Sequence, residues 1–152
     1  MIHYYSCDYY SAELSFFYDR IFAAINNAEQ KYYPAQKSWF YKVFLPGLAA
    51  KKRVILWAED ENGIIVGVLL LKKSPAENKI CCIYVSPPYR RRKIATALFI
   101  NAMAIACTKH LKISLSEEVM PELCPLLKKF GFILSDVKIG IYREGKKEFF
   151  FN

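Results

Sequence analysis

The stretch "IYVSPPYRRRKIATAL", residues 83–98, decides the fold because it joins a β-strand to a helix through four consecutive cations. The small residues Ala95, Thr96 and Ala97 follow the cations and open an apolar helix. The first N–H groups of a helix have no intrahelical partner, and the helix dipole adds about half a positive charge at that end. Arginine can also hold phosphate oxygens with two hydrogen bonds. The stretch therefore predicts a phosphate-binding turn at the strand–helix junction.

Residue patterns on both sides of this stretch predict the remaining elements. Apolar residues recur at helical spacing over residues 11–26 and 35–48, and the second run is interrupted near Pro46 and Gly47. The sequences "ENG" and "EGK" indicate hairpin turns between β-branched or aromatic runs. The predicted strands span residues 2–5, 53–59, 64–73, 79–85 and 111–116, and the predicted helices after the cations span residues 93–110 and about 123–130.

The order of these elements predicts a mixed α+β sheet. Residues 53–85 form three strands joined by short turns, which is an antiparallel meander. The strand–helix–strand unit over residues 79–116 requires a parallel pair with a right-handed crossover. We find no internal repeat and no linker, so we expect one domain over residues 1–152.

Composition limits the classes of protein that fit. The chain carries 22 Lys and Arg against 14 Asp and Glu, a formal charge of +8 that favours anionic partners. The five cysteines show no CxxC spacing, and Cys81 and Cys82 are expected on opposite faces of a strand, so neither a disulfide framework nor a metal site is expected. No signal peptide is recognisable, and the apolar runs fall short of the roughly 18 residues of a membrane span. These features predict a cytoplasmic protein with no membrane partner.

Two motifs, in this order, resemble the signatures of the GNAT superfamily of N-acetyltransferases. The first follows the family pattern V-x-P-x-Y-R-x-x-G-I-A-x-x-L, and the second, "LLKKFGF" at residues 126–132, resembles a helix that ends in a Gly-Phe pair before a strand. The positions that match the first pattern are Val85, Pro87, Tyr89, Arg90, Ile94, Ala95 and Leu98. The resemblance covers essentially the whole chain. It implies an acyl-CoA acyltransferase fold, a mostly antiparallel sheet with a central splayed parallel pair and about four helices.

The resemblance also implies an activity, the transfer of an acetyl group from acetyl-CoA to an amine by direct attack in a ternary complex. In such proteins the pantetheine arm pairs with the strand before the turn, and the pyrophosphate lies on the amides of the turn. Residues 11–48 are expected on the acceptor side. The acceptor can be a small amine, a peptide amine or an RNA-borne aminoacyl group, and the sequence does not separate these or indicate an oligomeric state. The implied cofactor-binding residues are Ile83, Tyr84, Val85, Arg90, Arg91, Arg92, Lys93, Ile94, Ala95 and Thr96.

Two positions depart from the family pattern. Lys93 stands where the family usually has a glycine, which matters if the turn needs a positive φ there. Leu127 stands where the family often has the tyrosine that protonates the departing thiolate, so acid catalysis from that position is impossible. Tyr142, Glu117 and Glu118 are replacement candidates, and no catalytic residue is assigned.

Two other interpretations stay open. The departures at Lys93 and Leu127 are compatible with a noncatalytic acyl-CoA-binding or regulatory module of the same fold. Net charge and the cationic run would also suit a nucleic-acid-binding protein, although the strand before the run and the apolar helix after it favour a cofactor site. Glu117 and Glu118 are most simply charges at the start of a helix.

Overall fold

A computed structural model describes residues 1–29, 33–108 and 110–152, without the side chains of residues 27–29. Seven strands form one mixed sheet in the order β1-β2-β3-β4-β5-β7-β6. Their bounds are β1 His3–Cys7, β2 Arg53–Glu59, β3 Ile65–Lys73, β4 Asn78–Val85, β5 Lys112–Ser116, β6 Leu134–Ile139 and β7 Lys147–Phe151. The helices are α1 Ser15–Glu29, α2 Gln36–Trp39, α3 Leu45–Ala49, α4 Ile94–Ala106 and α5 Met120–Lys129. The predicted mixed α+β sheet is confirmed, with β1 displaced slightly from the expected residues 2–5.

The central pair of strands, β4 and β5, is parallel, and every other neighbouring pair is antiparallel. The parallel ladder holds only two registers, Lys79 with Lys112 and Ile80 with Ile113. Beyond Ile80 the two strands no longer pair, which is the splay that the family resemblance implied. The hairpin of β6 and β7 then pairs with the far edge of β5.

Helices cover both faces of the sheet because the strands alternate apolar side chains between them. On one face Leu69 of β3 packs with Leu98 of α4, and on the other Leu70 of β3 packs with Tyr18 of α1. All four side chains are almost completely buried. We call these the α4 face and the α1 face. Within the described ranges, none of the helices is both long and apolar enough to cross a membrane.

The helical run before β2 contains a proline and is not a regular α-helix. Residues Phe40–Phe44 form a π-helical turn in which the N–H of Leu45 donates to the carbonyl of Phe40. Pro46 then lies within the first two positions of the next helix. An N–H at these positions has no acceptor within the helix, so the N–H that proline lacks is not missed. The predicted interruption near Pro46 is therefore absorbed by the π turn.

Helix α4 is shorter than the predicted residues 93–110. Its C-cap, Cys107, has a left-handed φ of 56°, and the next N–H, of Thr108, bonds back to the carbonyl of Met103. Such backward bonds satisfy the last carbonyls of a helix and end it. The helix therefore stops at Ala106, and the prediction that it reaches His110 is wrong.

The expectation that Cys81 and Cys82 face opposite sides of the sheet is also wrong, because β4 contains a β-bulge. Pairing with β3 passes from Cys82 to Ile80 and leaves Cys81 out of register. As a result both cysteines pack on the α1 face, whereas Ile80 and Ile83 pack on the α4 face. A bulge bends its strand and increases the local twist. Here it lies directly after the last residue that pairs with β5, so it coincides with the start of the splay.

Candidate active site

The splay opens a cleft of about 850 Å³ at the end of β4, between the turn that begins α4 and the side of α5. We call it the β4 cleft. Nine of the ten residues proposed for the cofactor line its wall, and Arg92 does not. Because β5 has separated here, this end of β4 is a strand with one unpaired edge next to a helix N-terminus. The fold thus brings together the strand edge and the cationic turn.

The turn is fixed to the rest of the protein by Tyr89. Its hydroxyl donates to Oδ2 of Asp60 over 2.9 Å, and Oδ1 of the same carboxylate accepts the N–H groups of Asn62 and Ile64 at 2.9 Å each. The hydrogen bond from Ile64 is the largest cause lowering the pKa of Asp60, and the hydrogen bond to Asp60 raises the pKa of Tyr89. The carboxylate in the β2–β3 hairpin therefore stays ionised and holds the tyrosine.

The backbone of the turn has the shape of an anion site. Arg91 and Lys93 both have a left-handed φ of 62°, so Lys93 adopts the conformation that glycine adopts most easily. The N–H of Ala97 is the first to find a helical acceptor, the carbonyl of Lys93. The preceding amides, of Ile94, Ala95 and Thr96, belong to the first turn, whose N–H groups lack intrahelical partners. Alternating left-handed residues and a helix N-terminus fit an anionic group such as a diphosphate.

Helix α4 approaches the sheet closely at Gly67 of β3. A Cβ at that position would lie 2.9 Å from Cγ2 of Ile94 and 3.3 Å from Cδ1 of Leu98. Only the absence of a side chain lets the first turn of α4 lie this near to β3. Gly67 therefore fixes the height of the helix N-terminus above the sheet.

The four cations of the turn have different surroundings. Arg90 donates from Nε to the carbonyl of Val85 over 3.0 Å and pairs with Glu122 of α5 at 3.3 Å. Arg92 instead lies over the ring of Tyr89, with its guanidinium 5.2 Å from the ring centre. Arg91 and Lys93 line the cleft. Of the proposed pyrophosphate ligands, Arg92 is therefore the one that the structure places outside the cleft wall.

A second cavity of about 460 Å³, which we call the outer cavity, lies on the α1 face. It is bounded by residues 33–36, the starts of β2 and β4, and the loop between β6 and β7. A narrow space of about 20 Å³ lies between β4 and β5, and Tyr33, Cys81 and Ser114 line both this space and the outer cavity. We call these three residues the junction. The outer cavity thus reaches the gap between the splayed strands.

A buried carboxylate lies behind the junction. Glu148 of β7 is only 4% exposed, and its Oε1 accepts the Tyr33 hydroxyl at 2.8 Å. Burial raises the pKa of the Glu148 carboxyl, which makes it a better proton acceptor near neutral pH. Tyr33 also contacts Tyr142 edge-on, with ring centres 5.2 Å apart. The replacement candidate Tyr142 is therefore placed at the outer cavity, beside two residues that no sequence motif singles out.

The other two candidates tether the β6–β7 loop. Glu118 Oε2 accepts from Arg143 at 2.6 Å, and this bond is the largest cause lowering the pKa of Glu118 to about 2. Oε1 of Glu117 accepts the N–H of Lys147 at 2.9 Å. A carboxylate with so low a pKa is a weak proton acceptor at neutral pH. Leu127 is completely buried on the α4 face.

Comparison with known proteins identifies the family. Residues 10–132 match the family model described as "Acetyltransferase (GNAT) family". No curated protein matches the sequence closely enough to serve as a relative.

Solved structures share the fold. Over 99% of this chain and 96% of the other, it resembles the NatC complex bound to Gag peptide and CoA, with a TM-score of 0.76 at 19% identity. A putative GNAT acetyltransferase from Desulfovibrio desulfuricans gives 0.70 at 15% identity over 99% and 97% of the chains. Nourseothricin acetyltransferase gives 0.61 at 18% identity over 68% of this chain, which spans only 65% of that protein. Such identities show the fold alone, whereas the family model covers most of the sequence, and the chain belongs to the acetyltransferase (GNAT) family.

Proposed function

We propose that the protein is an acetyl-CoA-dependent N-acetyltransferase that transfers an acetyl group directly to an amine. The observation that carries the proposal is the β4 cleft, in which an unpaired strand edge leads to the cationic N-terminus of α4. A cofactor with an amide-bearing arm and a diphosphate is complementary to that sequence of groups. CoA in the NatC structure shows that this fold can hold such a ligand in another protein.

The chain's own groups account for binding. The free edge of β4 at residues 83–85 offers backbone N–H and C=O groups to the pantetheine arm, in the manner of an added strand. The amides of Ile94, Ala95 and Thr96 face the diphosphate, and Arg91 and Lys93 add charge from the wall of the cleft. Arg90 holds the turn against α5 through Glu122. When bound, the thioester supplies the acetyl group.

The junction is where the acceptor amine meets the thioester. The amine nitrogen forms a bond to the acetyl carbon, the C–S bond breaks, and the sulfur keeps the electron pair. Glu148, through Tyr33, is placed to take the proton that the nitrogen loses, and the thiolate takes up a proton from water. Positioning two reactants lowers the activation barrier by roughly 7–11 kcal/mol. One general acid or base accelerates the reaction by about 10²- to 10⁴-fold, which corresponds to a smaller reduction of the barrier. Loss of the tyrosine at Leu127 is therefore compatible with catalysis.

One observation favours a second candidate, a noncatalytic acyl-CoA-binding module. Leu127 is completely buried and has no ionisable group, so the acid often found at that position is missing. Binding of CoA without turnover of any amine would support this candidate.

The test combines calorimetry with CoA and an assay of CoA thiol release over a panel of amines. Arg91→Gln and Arg92→Gln make a matched pair, because each removes one charge from adjacent residues of the same turn. We expect Arg91→Gln to weaken CoA binding about 10-fold, the value of one charge-assisted hydrogen bond, and Arg92→Gln to change it less than about 3-fold. Absence of binding at millimolar CoA would refute the proposal, and equal effects of the two variants would refute the placement of the diphosphate.

A further inference from the structure

The outer cavity is electrostatically asymmetric. Three cations, Arg53, Lys72 and Lys79, line it, and Glu77 is the one carboxylate in its described wall. All four side chains are partly buried rather than fully solvated. Charges in such a recess are screened less than charges on an open surface.

The carboxylate of the wall is already neutralised. Glu77 pairs with Lys72 at 3.2 Å and with Lys112 at 3.5 Å. Arg53 and Lys79, in contrast, have no carboxylate within ion-pair distance in the part of the chain that the structure describes. Among the described residues, these two cations of the cavity wall therefore form no ion pair, although the buried carboxylate of Glu148 lies near enough to Lys79 to interact with it at longer range.

The three cations of the cavity wall lie near Cys81, one of the residues of the junction. Arg53 Nη1 lies 3.1 Å from Sγ of Cys81, the bulged residue of β4. Burial raises the pKa of the Cys81 thiol, while the charges of Arg53, Lys79 and Lys72 act in the opposite direction. All three cations are thus near enough to the partly buried Cys81 thiol to act on it electrostatically. An anionic group would be most stable at this end of the wall, close to Cys81.

Arg53 is rigidly held. Its guanidinium lies 5.9 Å from the ring centre of Trp39 and 5.8 Å from that of Phe44, and its aliphatic part fills the space above Gly47. An arginine fixed by packing loses little further entropy when it binds a carboxylate with two hydrogen bonds. This geometry suits recognition of a ligand more than a mobile surface charge would.

The groups that suit an amine lie at the junction itself. Tyr33 and Ser114 present hydroxyl groups there, and the carboxylate of Glu148 lies behind Tyr33, with Lys79 near enough to oppose the rise of its pKa. The site therefore has two poles. Acceptor oxygens lie at the junction, and next to the junction lie Arg53 and Lys79, which form no ion pair with a described carboxylate. A molecule with an amine at one end and an anion a few bonds away complements both.

We propose that the acceptor is a small amine that carries its own carboxylate or similar anionic group, which is the chemistry of an amino acid. Arg53 and Lys79 bind the anion, and the amine lies at Tyr33 and Ser114 next to the splay. A cavity of about 460 Å³ has the size of a small-molecule site. Polycationic acceptors are disfavoured, because they would bring positive charge against these two cations. This inference rests on the proposed N-acetyltransferase activity.

The test compares amino acids with their own carboxamides, which keep the amine and lose the charge, and with spermidine as a polycation. Release of CoA thiol is measured for wild type, Arg53→Gln, Lys79→Gln and the control Lys37→Gln, whose exposed cation lies outside the cavity wall. We expect wild-type kcat/KM to be at least about 10-fold higher for amino acids than for carboxamides. We expect KM for amino acids to rise at least about 10-fold in Arg53→Gln and Lys79→Gln, with no change for carboxamides or in Lys37→Gln.

Each other outcome has a definite meaning. Equal turnover of carboxamides, of spermidine or of peptides with amidated C-termini would overturn the anionic-acceptor inference while leaving the proposed activity intact. An unchanged KM for amino acids in Lys79→Gln would do the same, even if Arg53→Gln failed to fold because its packing is lost. Binding of CoA without release of thiol from any amine would overturn the proposed function, and this inference with it.

Discussion

Replacing Lys93 with glycine should stabilise the protein without strengthening cofactor binding. Lys93 has a φ of 62° at the N-cap of α4, as part of the folded backbone, so we expect the cost of the left-handed conformation to fall on folding rather than on binding. That conformation costs a residue with a Cβ about 1–2 kcal/mol, and glycine gives back about 0.4–1 kcal/mol through the greater entropy of the unfolded chain. The difference between these two ranges is about 0–1.6 kcal/mol, so the net expectation for Lys93→Gly is a gain near 1 kcal/mol in the free energy of unfolding.

The matched control is Lys93→Ala, which removes the same charge and keeps the strained backbone. Thermal unfolding should place Lys93→Gly roughly 2–4 °C above Lys93→Ala, the shift expected for about 1 kcal/mol in a chain of this size. Calorimetry with CoA should give the two variants the same Kd within about 2-fold, because they differ in backbone strain and not in charge. A Lys93→Gly variant no more stable than Lys93→Ala would refute the reasoning, and a large difference in Kd would show that the turn is formed only on binding.

Three further perturbations have outcomes that the contacts determine. Gly67→Ala inserts a Cβ 2.9 Å from Ile94, so it should lower the free energy of unfolding by about 1–3 kcal/mol in denaturant titrations and weaken CoA binding by displacing α4; wild-type stability would contradict the close approach. Glu118 is paired with Arg143 and has its pKa lowered from 4.5 to about 2, so its stabilisation is complete above pH 4.5 and is lost as the pH falls toward 2. Glu118→Gln should therefore flatten the dependence of stability on pH in that window, and an unchanged slope would exclude the pair. Ser116 is almost fully buried, and its Oγ has no partner in good hydrogen-bond geometry, but it lies near enough to the Glu118 carboxylate to help lower the pKa of Glu118. Ser116→Ala should therefore change stability by less than about 1 kcal/mol in thermal melts, and a larger loss would show that Ser116 holds Glu118 by a full hydrogen bond.

The parts of the fold that could be predicted from the sequence are those that depend on residues close together in the chain. The strand–turn–helix unit at residues 83–98 was predictable because the cations, the prolines and the apolar helix all lie within one short stretch. The parallel pairing of β4 and β5 also followed from the order of the elements, whereas the splay of that pair was implied by the family resemblance. The bulge at Cys81 did not, because nothing in "KICCIYV" marks which residue leaves the ladder, and the pairing of β3 with β4 decides it. The early end of α4 was missed for a related reason, since cysteine is not a usual residue at a left-handed C-cap.

The β4 cleft could be predicted from the sequence, whereas the outer cavity could not. Residues at the β4 cleft are mostly contiguous in the chain, so a short motif is enough to identify them. Tyr33 and Glu148 are 115 positions apart, and their hydrogen bond depends on the pairing of β7 with β5, which brings Glu148 beside the residues before α2. The sequence predicted only that residues 148–151 belong to a closing hairpin, and the tertiary packing around β7 makes Glu148 a buried carboxylate.

The positions of the cations also bear on how two negatively charged substrates could react in one protein. Arg91 and Lys93 lie at the β4 cleft, and Arg53 and Lys79 lie at the outer cavity, so the splay between β4 and β5 separates the two groups. A cofactor that holds its diphosphate in the cleft and an acceptor that holds its anion beside Cys81 would each have its charge matched locally. Their uncharged reacting ends would then meet at the gap, where the two anions are far enough apart to repel each other little. Four of the chain's 22 lysines and arginines would then be divided between two separate anions.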